Sequence, residues 1–257
     1  MRRELHAEWT KMRTVAGPAW LLVGVVLLTV AVGAAASAVM TCPYGQCSYD
    51  PARISLSGVQ LSQALVALLA VAVVSGEYST GLIQTTLTAM PARGRVLAAK
   101  AMLVTGTTLA AGTVGVLGSI LAARLILPDS GYTFVHGYAL PSLTHGPSLR
   151  AAVGTVLYLG LIALLSVGVA AAVRDSAAAT GSVLAVLYVP SFLVLISNPD
   201  MREWIFRLAP TNAGLTIQAT TDLAAFPISP WGGLGVFAAW ALAAMALGRW
   251  LLRHRDA

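Results

Sequence analysis

The chain has 257 residues, of which 57% are hydrophobic and only 10% charged, with a formal net charge of +6 and a mean hydropathy of +0.78. Soluble domains carry about 25% charged residues, so the composition excludes a soluble globular protein and predicts an all-α, polytopic membrane protein. Charge-free windows at 14–49, 54–76, 101–123, 151–173, 176–199 and 223–248 each exceed the roughly 20 apolar residues that a spanning helix needs. They place six transmembrane helices at 17–40, 57–76, 96–127, 150–173, 177–197 and 229–252, in a single membrane domain covering 1–257.

Residues 1–16 precede the first span. Leu5, Trp9, Met12 and Ala16 recur at helical spacing, while Arg2, Arg3, Glu4, Glu8, Lys11 and Arg13 fill the other faces. The pattern predicts an amphipathic helix in the inner membrane interface, with Trp9 at headgroup depth. Span 1 carries a small-residue run, Ala36-Ser37-Ala38, but its apolar stretch outruns the 7–15 residues of a signal-peptide core, so it is taken as a retained span. Beyond it, Cys42 and Cys47 flank Pro43 and Gly45, which suit a tight turn. A disulfide outside the cytoplasm is favoured there over two unpaired thiols. A metal site is not expected, because no His or acid stands close enough in sequence to complete one.

Segment 77–95, between spans 2 and 3, is too polar to insert. Leu82, Ile83, Leu87 and Met90 form one face, Gly81 loosens the start, and Pro91 with Gly94 ends the helix. Such a short amphipathic helix suits the docking of a soluble partner. Glu77 places an acid at the inner end of span 2, where acids are costly and often functional. Span 3, Val96 to Leu127, is about 48 Å long at 1.5 Å per residue and either tilts or extends into the cytoplasm. Its Gly106, Gly112, Gly115 and Gly118 are read as a helix-packing face. Arg124 at its outer end is read as snorkelling to the interface, with a substrate-binding role as the alternative.

Residues 130–149 lack charge but hold Gly131, His136, Gly137, Pro141, His145, Gly146 and Pro147, and are read as an outer loop. Arg174 and Asp175 form a short inner turn, read as a local ion pair. Residues 198–228 form an outer helical segment. Met201, Trp204, Ile205 and Leu208 lie on one face of its first helix, opposite Arg202, Glu203 and Arg207. Pro210 stops that helix, and Thr211–Leu223 follows as a second helix or a re-entrant element.

Basic residues set the orientation. Arg2, Arg3, Lys11, Arg13, Arg93, Arg95, Lys100, Arg174, Arg249, Arg253 and Arg255 all fall on one side of the six spans, so both termini are expected in the cytoplasm of a plasma-membrane protein. The +6 is then a topological signal, and no nucleic-acid partner is expected. His6, His136, His145 and His254 show no metal-ligand spacing. No Gly-x-x-x-x-Gly-Lys-Ser/Thr phosphate loop is present, no catalytic residue is assigned, and any ATP chemistry must come from another chain.

Two stretches carry a family resemblance. Ala7-Glu8-Trp9-Thr10-Lys11-Met12-Arg13-Thr14 resembles the interface helix of actinobacterial permeases of the second ABC-exporter type. Glu77-Tyr78-Ser79-Thr80-Gly81-Leu82-Ile83-Gln84-Thr85-Thr86-Leu87, followed by Pro91, Arg93-Gly94-Arg95 and Ala98-Ala99-Lys100, resembles the same family's segment after span 2. The resemblance implies a dimer of six-span permease subunits, as homodimer or heterodimer, with two copies of a cytoplasmic ABC ATPase that binds ATP and Mg. It implies that Glu77, Tyr78, Gly81, Leu82, Ile83, Gln84, Leu87, Met90, Arg93 and Arg95 belong to the coupling segment, and that Glu8, Trp9, Lys11, Met12 and Arg13 belong to the interface helix.

The expected function is therefore the transport subunit, not itself an enzyme, of an exporter. Its cargo would be a hydrophobic or amphipathic molecule such as a drug, antibiotic, peptide or lipid. A secondary transporter or channel is the alternative. Such proteins place ionisable residues near mid-membrane, whereas the centres of these spans are charge-free. An intramembrane enzyme would need a buried base that the spans lack.

Overall fold

The computed structural model describes residues 2–40, 49–79, 93–130 and 141–254. Among them the chain forms α1 (Arg2–Thr14), α2 (Ala16–Val39), α3 (Pro51–Ser55), α4 (Val59–Ser79), α5 (Arg93–Ile126), α6 (Gly146–Val173), α7 (Ser176–Ile196), α8 (Pro199–Leu208), α9 (Pro210–Gly214) and α10 (Pro230–His254), with 3-10 turns between some of them. No strand occurs among the described residues. Six helices, α2, α4, α5, α6, α7 and α10, are long and apolar enough to cross a membrane. The protein is an all-α multi-pass membrane protein.

Hydroxyl groups do not break these helices, because they bond back to their own turn. Thr29 donates to the Val25 carbonyl at 2.7 Å, Thr155 to Ala151 at 2.7 Å and Ser166 to Ile162 at 2.7 Å. The fourth span begins at Gly146, four residues before the expected start. Pro147 sits in its first turn, where proline's missing N–H costs nothing.

α6 is the centre of the bundle. Tyr158, Leu159, Ile162, Leu165 and Val167 on it are buried against α4, α5 and α10. α2 packs on α4 and α5, and α7 on α4 and α6. Glycines set the closest approaches. A methyl on Gly168 of α6 would lie 2.5 Å from the Ala244 carbonyl carbon, and one on Gly248 of α10 would lie 2.6 Å from the Gly168 oxygen. These two helices therefore cross backbone to backbone.

Three of the four glycines of the α5 stripe pack against other helices of this chain. Gly115 and Gly118 meet Thr29 and Val30 of α2, Gly112 meets Leu159 of α6, and Gly106 faces open space. Large apolar side chains elsewhere, such as Trp20, Leu27, Leu125, Phe192, Ile196 and Leu242, are exposed. Exposed apolar surface of this kind on spanning helices suits a lipid surround.

The end of the bundle that carries α1 and the last turn of α10 is called inner, and the opposite end outer. The outer end holds two elements folded into the bundle. α3 follows Asp50, whose carboxylate caps it by accepting from the Ala52 amide at 2.9 Å. Its Ala52, Ile54 and Ser55 are buried, and the Ser55 carbonyl accepts from the Ser119 hydroxyl of α5. The second element is the segment before span 6. Trp240, about 15 Å along α10 from its outer end, donates its indole N–H to the Leu208 carbonyl at 3.0 Å. α8 thus leads the chain back alongside α10 into the bundle. α9 and the turn Leu215–Gln218 lie buried there, and the chain returns outward through 219–226. The segment is re-entrant.

Candidate functional site at the inner ends of spans 2 and 3

The most buried side chain that ties α1 to the bundle is a charged one. Glu8 is 3% exposed and Lys100 of α5 is 4% exposed. Their Oε2 and Nζ atoms lie 2.7 Å apart. Lys100 Nζ also donates to the Val73 carbonyl of α4 at 3.1 Å. Lys11, on the exposed side of α1, reaches the other carboxylate oxygen at 3.0 Å. One ammonium group therefore ties α1, α4 and α5 together. Charges this deep are costly unless paired and hydrogen-bonded, and here both conditions hold.

The helical pattern of residues 1–16 placed Glu8 on a polar face, and the structure buries it. Trp9, from the expected stripe, is 48% exposed, in keeping with an aromatic ring aimed at the membrane interface. Met12 is half-buried, and Lys11 and Arg13 are exposed. The sequence placed Glu8 and Lys100 in the two resembling stretches, but no local signal pairs them.

The junction lies at the root of the segment joining spans 2 and 3. α4 carries Glu77 and Tyr78 in its last turn, and α5 opens at Arg93, with Arg95 exposed. Gly81, Leu82, Ile83, Gln84, Leu87 and Met90 of the expected docking helix lie outside the described residues, as do Cys42 and Cys47. α5 runs 34 residues, about 51 Å, against a hydrocarbon core of about 30 Å. On the same side, Arg174 adopts the left-handed conformation at the end of α6 (φ 65°). Asp175 accepts from the Ala178 amide at 2.7 Å and caps α7.

Counting charges along the spans hid a second group of residues. Tyr158 donates to Gln63 Oε1 at 2.6 Å, with both side chains fully buried. Tyr188 donates to the Gln60 carbonyl at 2.7 Å, and Ser191 to Asn212 Oδ1 at 3.2 Å. Together they form a polar strip across α4, α6, α7 and α9 in the outer half of the bundle. Gln60 is exposed, and Tyr188, Ser191 and Asn212 are half-buried. Scattered Gln, Tyr and Ser in apolar helices were its only sequence signal.

No cluster of three or more His, Cys, Asp or Glu able to hold a metal occurs among the described residues. Neither a protein-family model nor a curated protein matches the chain.

Proposed function

We propose that this chain is the membrane-spanning permease subunit of an ATP-driven ABC exporter. The observation that carries the reading is the buried Glu8–Lys100 pair, closed on the Val73 carbonyl. It joins the interface helix to both helices that lead into segment 77–95. A force applied to that segment by a cytoplasmic ATPase would move α1, α4 and α5 as one body. ATP and Mg would be bound by two copies of that partner, and a second permease subunit would complete the transporter. The half-exposed polar strip of Gln60, Tyr188, Ser191 and Asn212 is poorly suited to lipid, which favours α4 and α7 as the face turned toward that second subunit and the cargo. A cargo with apolar and small polar groups suits such a lining.

The test is co-purification from the native membrane in mild detergent, comparing wild type with Leu87→Asp. The expected result is an ATPase of roughly 25–35 kDa, a single-domain size, retained by wild type and lost by the variant. A wild-type protein that brings down no ATPase would refute the reading in favour of a secondary transporter or channel.

A further inference from the structure

The return segment 219–226 is fastened by polar contacts near its start and by ring contacts at its end. Asp50 is the main fastener, and its two oxygens divide the work. Oδ1 accepts from the Ala52 amide at 2.9 Å and from the Thr220 hydroxyl at 2.7 Å. Oδ2 accepts from the Thr220 amide, and from the Thr221 amide at 3.1 Å. Next to it, Arg150 at the head of α6 donates to the Ala219 carbonyl. At the far end, the Arg53 guanidinium lies 5.3 Å from the centre of the Phe226 ring. The Phe226 ring also meets the Phe206 ring of α8 edge-on at 6.5 Å, and Ala219 is buried. Thr221–Ala225 are exposed, so burial holds the strap at its ends and not along its middle.

The strap closes over a different kind of packing. Behind it, Pro210–Gln218 is buried against α6 and α10 by apolar and glycine contacts. Ile217 sits over Gly154, Gly214 against the Tyr158 and Phe237 rings, and the Ala213 carbonyl against Gly233. The re-entrant unit lies along α6 and α10, and the strap is its outward exit.

We propose that residues 219–226 are an outer latch, with Asp50 as its catch, that holds the re-entrant unit Pro210–Gln218 closed against α6 and α10. Release of the Thr220 and Thr221 amides frees the strap, and the re-entrant unit then separates from the two helices. The latch is a property of this chain alone. Only its meaning as the outer gate of transport rests on the exporter reading.

Asp50→Asn separates the two jobs of the carboxylate. Its remaining oxygen still caps α3, since Asn is as good an N-cap as Asp, while its NH2 group opposes the two strap amides. Hydrogen exchange of the full chain in lipid nanodiscs reads the effect. The expected result is about tenfold faster exchange across 210–226, the scale of a lost charge-assisted hydrogen bond, with α6 and α10 unchanged. Acceleration confined to 219–226, or no change, would overturn the latch and leave a surface tie. Acceleration throughout α6 and α10 would also overturn it, making Asp50 a residue of the global fold. Should Asp50→Asn fail to fold, Thr220→Val removes the hydroxyl bond to Oδ1 and keeps the α3 cap and the two amide bonds. It is expected to give a smaller acceleration over the same span 210–226, and acceleration confined to 219–226, or none, would overturn the latch. No ATPase or cargo enters the experiment, so its failure and that of the exporter reading are separate results.

Discussion

The two ends of the bundle are tied by different chemistry. At the inner end, a carboxylate and an ammonium meet out of water and join three helices. At the outer end, a half-buried carboxylate collects backbone amides of an exposed strap. Separating the inner pair strands a charge in a low-dielectric site, whereas the outer amides, once released, find water at once. The inner knot is therefore built to persist and the outer one to let go.

The largest expected effect comes from breaking the inner knot. Glu8→Leu leaves Lys100 buried without its acid, at a cost of about 3–5 kcal/mol, seen as a lower midpoint in thermal unfolding of the purified protein. Glu8→Gln with Lys100→Met removes both charges and recovers most of that loss. A double variant no more stable than Glu8→Leu would show that the pair itself is not the source of the effect.

A smaller effect follows at the outer end. Arg150→Ala removes the bond to the Ala219 carbonyl and costs about 1–2 kcal/mol. Exchange measurements should localise that cost to the strap and the re-entrant unit, and a uniform loss along α6 would erase the contrast between the ends. The smallest change is Lys11→Ala. Its ammonium is exposed, and exposed pairs are worth about 1 kcal/mol or less, so its unfolding midpoint should stay near that of wild type. A loss as large as that of Glu8→Leu would mean that Lys11, and not Lys100, neutralises the buried acid.

The spanning helices were legible in the sequence because a bilayer demands long uncharged runs, and such runs have few other uses. The glycine stripe of α5 was legible as a packing face, but its partners, Thr29 and Val30 on one side and Leu159 on the other, were not. Helical spacing tells which residues share a face and not what that face meets. The burial of Glu8 was hidden for the same reason, since its partner lies far along the chain. α3 escaped notice because five residues are too few to show a period. Its signal was Asp50-Pro51, a cap followed by a first-turn proline, which reads equally well as a turn. Tyr158 and Gln63 were passed over because the spans were judged by charge alone. For Thr211–Leu223 a second helix and a re-entrant element were both open, and the bond from Trp240 to the end of α8 shows that the chain enters this stretch alongside α10, within the bundle.

The Glu8–Lys100 pair also bears on how the protein is made. The two residues are 92 positions apart, and at 5–20 residues per second the ribosome delivers the second about 5–20 s after the first. Throughout that interval the amino-terminal helix has no lysine from span 3 to meet. Its exposed tryptophan and amphipathic character give it a resting place on the bilayer surface while the first two spans are threaded in. When span 3 arrives, its lysine finds an acid already waiting at the right depth. Moving the acid to the other end of the chain would reverse that order and leave the lysine to wait unpaired in the nascent protein.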